Sequence, residues 1–215
     1  GEFGTPRAYH SMAYVPPKDG GAGGRIFVFG GFADNEPLSH LECVTLSNDS
    51  EGGEEEWQWS AFPTAGNSPA ARFGHTMTLI DRSLYVVGGC TGGHNHKGNN
   101  TDGVELSDIC ILPVDDTCPS WSTFEMPRTP SVAGQPRYLF GRCHSTVAVG
   151  SCLIVFGGGP SYGLSNGIVK IDTRRLEEGP QASCQRLDAG NSDGVMPRQS
   201  GCLYCLGGGS EILLF

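Results

Sequence analysis

Residues 72–89 read RFGHTMTLIDRSLYVVGG: an Arg-x-Gly-His opening, an apolar stretch and a closing pair of glycines. The pattern recurs. GRIFVFGG closes on Gly30-Gly31, SLYVVGG on Gly88-Gly89 and CLIVFGG on Gly157-Gly158, at spacings of 58 and 69 residues. His75 precedes Gly88 by 13 residues and His144 precedes Gly157 by 13; His10 precedes Gly30 by 20, the excess being the polar insert PPKDGGAGG. A fourth copy opens in PRQSGCLYCLGGGSEILLF, where ILLF takes the place of IFVF, YVV and LIVF.

After each double glycine comes a loop and a shorter strand-like run (LECVTL, DICILPV, GIVKID), then a run marked by Trp57-Gln58-Trp59 or Trp121 in two copies. The spacing predicts four strands per copy, over His10–Val15, Arg25–Phe29, Leu41–Leu46 and Trp57–Phe62 in the first. No stretch carries a helical period. The second strand is apolar at nearly every position, which requires both of its faces to be covered, whereas a half-wet strand alternates. Glycine without Cβ lets the chain take positive φ and turn sharply against a neighbour. Four short strands repeated every ~60 residues describe the blades of a propeller.

Composition agrees. Glycine supplies 33 of 215 residues, about twice the usual ~7%, yet compact apolar runs separate the glycines, which a disordered chain lacks. The charge balance, 14 − 23 = −9, is opposite to what phosphate neutralisation needs, so nucleic acid is set aside as a partner. No apolar run approaches the ~20 residues of a membrane span, and no signal-peptide pattern opens the chain. Gly1–Thr5 has the form of a cloning scar. The cysteines are nine, an odd number, several inside apolar runs. They read as small buried hydrophobes in a reducing compartment, cytoplasmic or nuclear. The glycosylation-type triplets at Asn48 and Asn99 are expected by chance.

Taken together, the apolar-apolar-Gly-Gly element, the upstream His-Ser/Thr and the downstream Trp resemble the kelch-repeat family of β-propellers. The resemblance implies an all-β, kelch-type β-propeller with about three and a half four-stranded blades, at residues 6–62, 63–126, 127–188 and, in part, 189–215, with 1–5 excluded. The copies differ in detail. The third reads Arg142-Cys143-His144, one residue shorter than Arg7-Ala8-Tyr9-His10 and Arg72-Phe73-Gly74-His75, and its last strand, SCQRLD, has no Trp. The fourth has Gly201 at the His position. LSDICILPVDDTCPSW, residues 106–121, is similar to plant-type F-box/kelch proteins, in which Leu-x-Asp precedes the third strand and Pro-x-Trp follows it. Propellers close with ~4 to 8 blades. The chain is therefore expected to be part of a larger propeller, completed by further sequence or by another chain, since open blades expose unpaired edges.

Each candidate site has a functional and a structural reading. Arg7, Arg72, Arg142 and Arg198 open the copies. In kelch receptors, arginines here can point into the channel mouth, where a planar guanidinium suits the carboxylates of an acidic peptide. The alternative is that they tie blades together through backbone carbonyls or acidic side chains. In CTGGHNHKGNN, Cys90, His94 and His96 put soft ligands close together on a glycine-rich loop that does not fix a fourth zinc ligand. The loop, with Lys97, is read as a partner contact, as is Tyr162 in the third blade. Cys202 and Cys205 diverge on a strand. EGGEEE before Trp57 is a solvated loop. The glycine runs match no phosphate-binding pattern, and no G-x-S-x-G is present.

The expected function is a non-enzymatic protein-interaction module binding a protein or peptide ligand, with no membrane, cofactor or metal. By resemblance it would be the recognition part of a larger protein such as an F-box/kelch ubiquitin-ligase receptor. The loops expected to carry recognition are residues 32–40, 90–105 and 159–167, with the linkers 63–71, 127–141 and 189–197. Two other readings stand beside it: a galactose-oxidase-like metal enzyme, and a propeller docked on a catalytic domain outside this chain.

Overall fold

The computed structural model of the chain describes residues 4–20, 23–47, 56–92, 103–126, 129–130, 136–137, 140–159, 167–187, 203–206 and 211–214. Blade 1 contains β1 (Ser11–Val15), β2 (Arg25–Phe29), a small hairpin of β3 (Phe32–Ala33) and β4 (Glu36–Pro37), β5 (Leu41–Ser47) and β6 (Glu56–Ala61). Blade 2 contains β7 (Ala65–Gly66), β8 (Thr76–Ile80), β9 (Ser83–Val87), β10 (Asp108–Pro113) and β11 (Ser120–Glu125). A short pairing of β12 (Thr129–Pro130) with β13 (Pro136–Arg137) leads to blade 3, made of β14 (Arg142–Val149), β15 (Cys152–Gly159), β16 (Ile168–Asp172) and β17 (Cys184–Leu187). The hairpin β18 (Leu203–Leu206) and β19 (Glu211–Leu214) continues the series, with β18 beside β14.

Blades 1 and 3 are antiparallel meanders of order β1-β2-β5-β6 and β14-β15-β16-β17, so the four-strand expectation holds, with each strand of blade 1 within one residue of its expected bounds. Two features go beyond it. Blade 2 has a fifth strand, because β7, in the linker from blade 1, pairs in parallel with the outer edge of β11. Blade 3 contains a 3-10 helix over Thr173–Glu178 and one α-turn over Pro180–Ser183. Asp172 caps the first, and Leu176, 3% exposed, pins the segment to the core. Stretches this short carry no visible helical period.

The blades pack face to face, and side-chain alternation assigns each residue to a seam. Along β9, Leu84 and Val86 face blade 1, where they meet Phe27, Phe29, Cys43 and Val15. Val87, between them and the glycines, faces blade 3 and meets Leu153, Val155 and Ile171. In β10, Cys110 and Leu112 share the first seam and Ile109 the second. This two-sided burial explains the continuous apolar run in the sequence. Each fully buried side chain of this size contributes about 1.5–3 kcal/mol.

The double glycines sit where the blades come closest. Gly30 (φ 60°) and Gly88 (φ 59°) have left-handed backbone. A Cβ at Gly30 would lie 2.7 Å from both the Arg72 carbonyl and the His75 Cε1 of blade 2; at Gly88 it would lie 2.9 Å from the Gly141 carbonyl and 3.1 Å from the His144 Cε1 of blade 3. The second glycine of each pair ties the seam: Gly31 N donates to Arg72 O at 2.9 Å and Gly89 N to Gly141 O at 3.2 Å. His144 then spans the second seam, bonding Gly141 O through Nδ1 and the Thr76 hydroxyl of blade 2 through Nε2, each at 3.0 Å. The first seam is also tied at its far end. There Asp115 of blade 2 receives Arg82 (2.6 Å) and Arg25 of blade 1 (3.3 Å), while Arg82 bonds Pro16 O (2.6 Å).

Two outcomes follow. Gly88→Ala should destabilise the chain by about 2–4 kcal/mol in urea unfolding, through strained φ and overlap with blade 3. Gly150→Ala, with a similar φ of 56° but nothing within 4 Å, should cost only the backbone component of about 1–2 kcal/mol; equal losses would mean the close approach is unimportant. Burial pushes His75 down to about 3, helped by the Arg72 charge, and His144 down to about 4. The folded state therefore binds fewer protons than the unfolded state, so stability present above about pH 6.5 should fall as pH drops from there toward 4. The slope should approach ~1.4 kcal/mol per pH unit for each histidine, and His144→Asn should flatten it in pH-dependent unfolding.

Candidate binding face

At the Gly-Gly end, the entries to the innermost strands meet the ends of the second strands, where the loops to the third strands begin. That follows from strand direction: each innermost strand starts there, and each second strand ends there. The residue before each seam histidine takes positive φ, at Tyr9 (55°), Gly74 (64°) and Cys143 (56°). These three are strung together by peptide hydrogen bonds, Gly74 N to Tyr9 O at 3.0 Å and Cys143 N to Gly74 O at 2.6 Å. The result is a rigid arc of backbone around the inner edge of the blades.

On this arc stands an aromatic cluster. Phe73 is pinned to Cys90 by reciprocal backbone bonds, and its ring meets Phe32 of the β3–β4 hairpin at 5.2 Å and Tyr9 at 6.2 Å. Phe73 is buried, while Tyr9 is 61% exposed. The hairpin turns on Asp34 and Asn35, both with positive φ, a conformation these short polar residues tolerate. Its tip is exposed. Repeat alignment alone hid this cluster because Tyr9, Phe73 and Phe32 occupy no constant motif position; the available signal was an aromatic ahead of the histidine in AYH and FGH.

The arginines divide into two kinds. Arg72, 1% exposed, makes a bidentate pair with Asp108 (2.7 and 2.8 Å) and also bonds Gly88 O at 2.9 Å. Arg7 makes a one-point version, donating to Glu42 Oε1 (2.7 Å) and to Gly30 O (3.1 Å). Each clasps its own blade, fastening the innermost entry to the third strand and to the first glycine. Burial works against the Arg72 charge, but hydrogen bonds to Asp108 and its charge outweigh it and the pKa is raised. The carboxylates are not equivalent in register. Gly30 N bonds His40 O and Gly88 N bonds Asp108 O, so Glu42 lies two residues further along the same strand face. In blade 3 the matching positions are Gly141 for the arginine and Gly167 and Val169 for the carboxylate, and neither half of the clasp is present.

Counted from the histidines, Arg142 therefore stands where Ala8 and Phe73 stand, as its one-residue offset in sequence implied. It reaches across the second seam to Glu105 at 3.5 Å. Glu105 is 4% exposed, and burial raises it to about 7 against the pull of Arg142. Cys90 lies buried beside this pair, its thiol pushed up to about 11 by burial and the Glu105 charge, which suits packing rather than reactivity. Arg198, His94, His96, Lys97, Tyr162 and Cys202 lie outside the described residues. Among the described residues, no three His, Cys, Asp or Glu side chains form a metal-ligand set, Cys43, Cys90, Cys110, Cys118, Cys152 and Cys184 are in no disulfide, and no helix is long and apolar enough to cross a membrane.

Comparison with known proteins adds the following. The family model described as the KLHDC2/KLHL20/DRC7 Kelch-repeats domain matches residues 1–165. Rab9 effector protein with kelch motifs from Mus musculus is 28% identical over 162 residues, covering 74% of this chain and 35% of that protein. Host cell factor 2 from Homo sapiens is 29% identical over 168 residues, covering 74% and 19%. Adagio protein 3 from Arabidopsis thaliana is 32% identical over 139 residues, covering 63% and 18%. The chain thus spans about a third of the Rab9 effector and a fifth of host cell factor 2. A solved chain in the cryo-EM structure of RAG in complex with one melted and one unmelted RSS aligns with TM-score 0.65 at 17% identity, over 94% of this chain and 56% of that one, a likeness of fold.

The clasp makes a direct prediction. Arg72→Met should cost about 3–5 kcal/mol in urea unfolding, because it leaves Asp108 buried and unpaired, whereas Arg72→Met with Asp108→Leu should recover most of the loss. Arg7→Met should cost less, since the Glu42 side chain is 19% exposed and water can replace the lost partner.

Proposed function

The chain belongs to the kelch-repeat family, and we propose that it is a protein-interaction module that captures a protein or peptide with the loops at its Gly-Gly end. The observation that carries this reading is the exposed Tyr9 ring, held by left-handed backbone and packed on Phe73, whose ring in turn meets Phe32 of the β3–β4 hairpin with its exposed tip. An exposed aromatic on a rigid base loses little conformational freedom on binding, which suits a hot spot. Thr91 and Gly92 with residues 103–105, described parts of the loop over 90–105, extend the proposed face, while the rest of that loop and residues 160–166 lie outside the described residues.

An acidic ligand gripped by Arg7 and Arg72 would have to displace Glu42 and Asp108, so the proposal puts recognition on the loops and leaves those arginines as clasps. A specific form of the reading is the substrate receptor of an F-box-type ubiquitin ligase, working in the cytoplasm or nucleus. The LSD…PSW resemblance supports it, although packing already employs the key residues: Asp108 holds Arg72, and Trp121 fills the first seam while its Nε1 donates to Thr64 Oγ1 at 3.1 Å. The buried free thiols of Cys43, Cys90 and Cys110 fit a reducing compartment.

The test is an affinity pull-down from lysate, followed by affinity measurement on the strongest specific prey. Tyr9→Ala should weaken it by roughly 30-fold or more, the loss of a hot spot of ~2 kcal/mol, and Arg7→Ala should leave it nearly unchanged once folding is matched by circular dichroism. Undiminished binding by the folded Tyr9→Ala variant would overturn the reading.

A further inference from the structure

The inner rims of the two seams use the same positions with different chemistry. In the first seam blade 1 presents Phe32, whose strand partner is Pro37, and the Phe73 ring of blade 2 packs on Phe32 at 5.2 Å. Register makes Cys90 and its bridge partner Glu105 the counterparts of Phe32 and Pro37. Ala8 exchanges both peptide hydrogen bonds with Phe32 as Phe73 does with Cys90, and Leu38 N bonds Gly31 O as Leu106 N bonds Gly89 O. Arg142 stands in blade 3 where Phe73 stands in blade 2. An aromatic contact in one seam is thus a carboxylate and a guanidinium in the next.

Glu105 is poorly provided for. It is 4% exposed, and neither of its carboxylate oxygens has a hydrogen-bond partner. The Arg142 Nε lies 3.5 Å away, beyond the about 2.7–2.9 Å of a strong charge-assisted bond. By contrast Asp108, also buried, receives two bonds of 2.7 and 2.8 Å from Arg72. The titratable and charged groups that face Glu105 among the described residues are Arg142 from β14 and the Cys90 thiol from its own blade, with Cys143 close enough to act on Cys90. Taking a carboxylate out of water without donors favours its neutral form, and the rise of Glu105 to about 7, against the pull of Arg142, accords with that.

We propose that Glu105 is a proton-operated latch between blades 2 and 3: neutral, it stays shut in the seam; ionised, it draws toward water and loosens the inner rim. The bonds it controls are the peptide hydrogen bonds that cross this seam, Gly89 N to Gly141 O and Cys143 N to Gly74 O. The first seam, with an aromatic pair at the same place, has no such control. Linkage sets the sign. The shut form binds the proton more tightly than an exposed carboxyl at its ordinary 4.5, so the latch is closed in acid, opens increasingly as pH rises from there to about 7, and gains nothing further above it. His144, buried in the same seam, works in the opposite sense below about 6.5, so the two are separated by substitution. The latch depends on the seam and not on capture of a ligand, so the two readings fail separately.

The experiment is amide hydrogen exchange on the full chain from pH 6 to 8, resolved by NMR, with the intrinsic exchange rate divided out. It follows Gly89 and Cys143 in the second seam and Gly31, which donates to Arg72 O, in the first. Opening at Gly89 and Cys143, taken relative to Glu105→Gln, should rise roughly tenfold across this range and level off at its upper end. The same ratio at Gly31 should stay constant. Division by the variant removes the histidine contribution, which both chains share. Arg142→Gln is an independent probe: it keeps Glu105 and removes the cation that favours its ionised form, so the rise should persist but move to higher pH. A flat ratio at Gly89 and Cys143 overturns the inference, as does an Arg142→Gln profile that does not move upward. An equal change at Gly31 also overturns it, because the proton would then act on the whole fold rather than on this joint.

Discussion

The distance between a glycine Cα and a carbonyl oxygen of the next blade sets the geometry of this molecule. Gly30 and Gly88 lie where a methyl group would overlap the Arg72 and Gly141 carbonyls. Only with that contact in place can the second glycine donate across the seam and the following histidine slide beneath it. Once the corner is fixed, alternation does the rest: each central strand sends successive side chains to opposite neighbours, and the apolar run is buried on both sides. The histidines accept neutrality as the consequence, because at this depth a proton on the ring has no adequate solvation.

Within a blade the arginine clasp has a different task. It fastens the first strand's entry to the third strand and to the first glycine, so the corner and the meander hold each other. Comparing blades shows that the clasp behaves as a unit. Its carboxylate can sit at either of two positions on the same face, as Glu42 and Asp108 do, and where the arginine position becomes Gly141 no carboxylate remains at Gly167 or Val169. A buried guanidinium without its partner costs several kcal/mol, so loss of one half removes any benefit of keeping the other. Blade 3 holds its entry by other means, with Arg142 reaching outward to Glu105 of the preceding blade.

Much of the fold was legible because the signal repeats. The double glycines, the histidine spacing and the tryptophans marked the blades and the strand limits of the first, since each answers to a steric or packing requirement that recurs at the seams. What stayed hidden is what happens once. The β7 strand is two residues long, and the 3-10 turn after Asp172 lies in an insertion too short for periodicity. The arginines were visible as a series, but sequence alone could not separate a ligand grip from a clasp, because the deciding fact is the proximity of Asp108, 36 residues away. Tyr9, Phe73 and Phe32 escaped for the opposite reason: they vary from copy to copy, as loop residues are free to do.

The first seam is fastened at two radii. At the inner radius Gly74 N bonds Tyr9 O; at the outer radius the linker crosses over, Trp121 donates to Thr64, and Ala65 N bonds Pro119 O at 2.7 Å before β7 joins the edge of β11. A joint pinned along one line can swing, but one pinned along two cannot. Blades 1 and 2 therefore lack the freedom to open like the covers of a book, and a pulling force applied at either edge meets bonds that must fail in succession. Any conformational signal passing between them has to travel as a shift of the pair as one body.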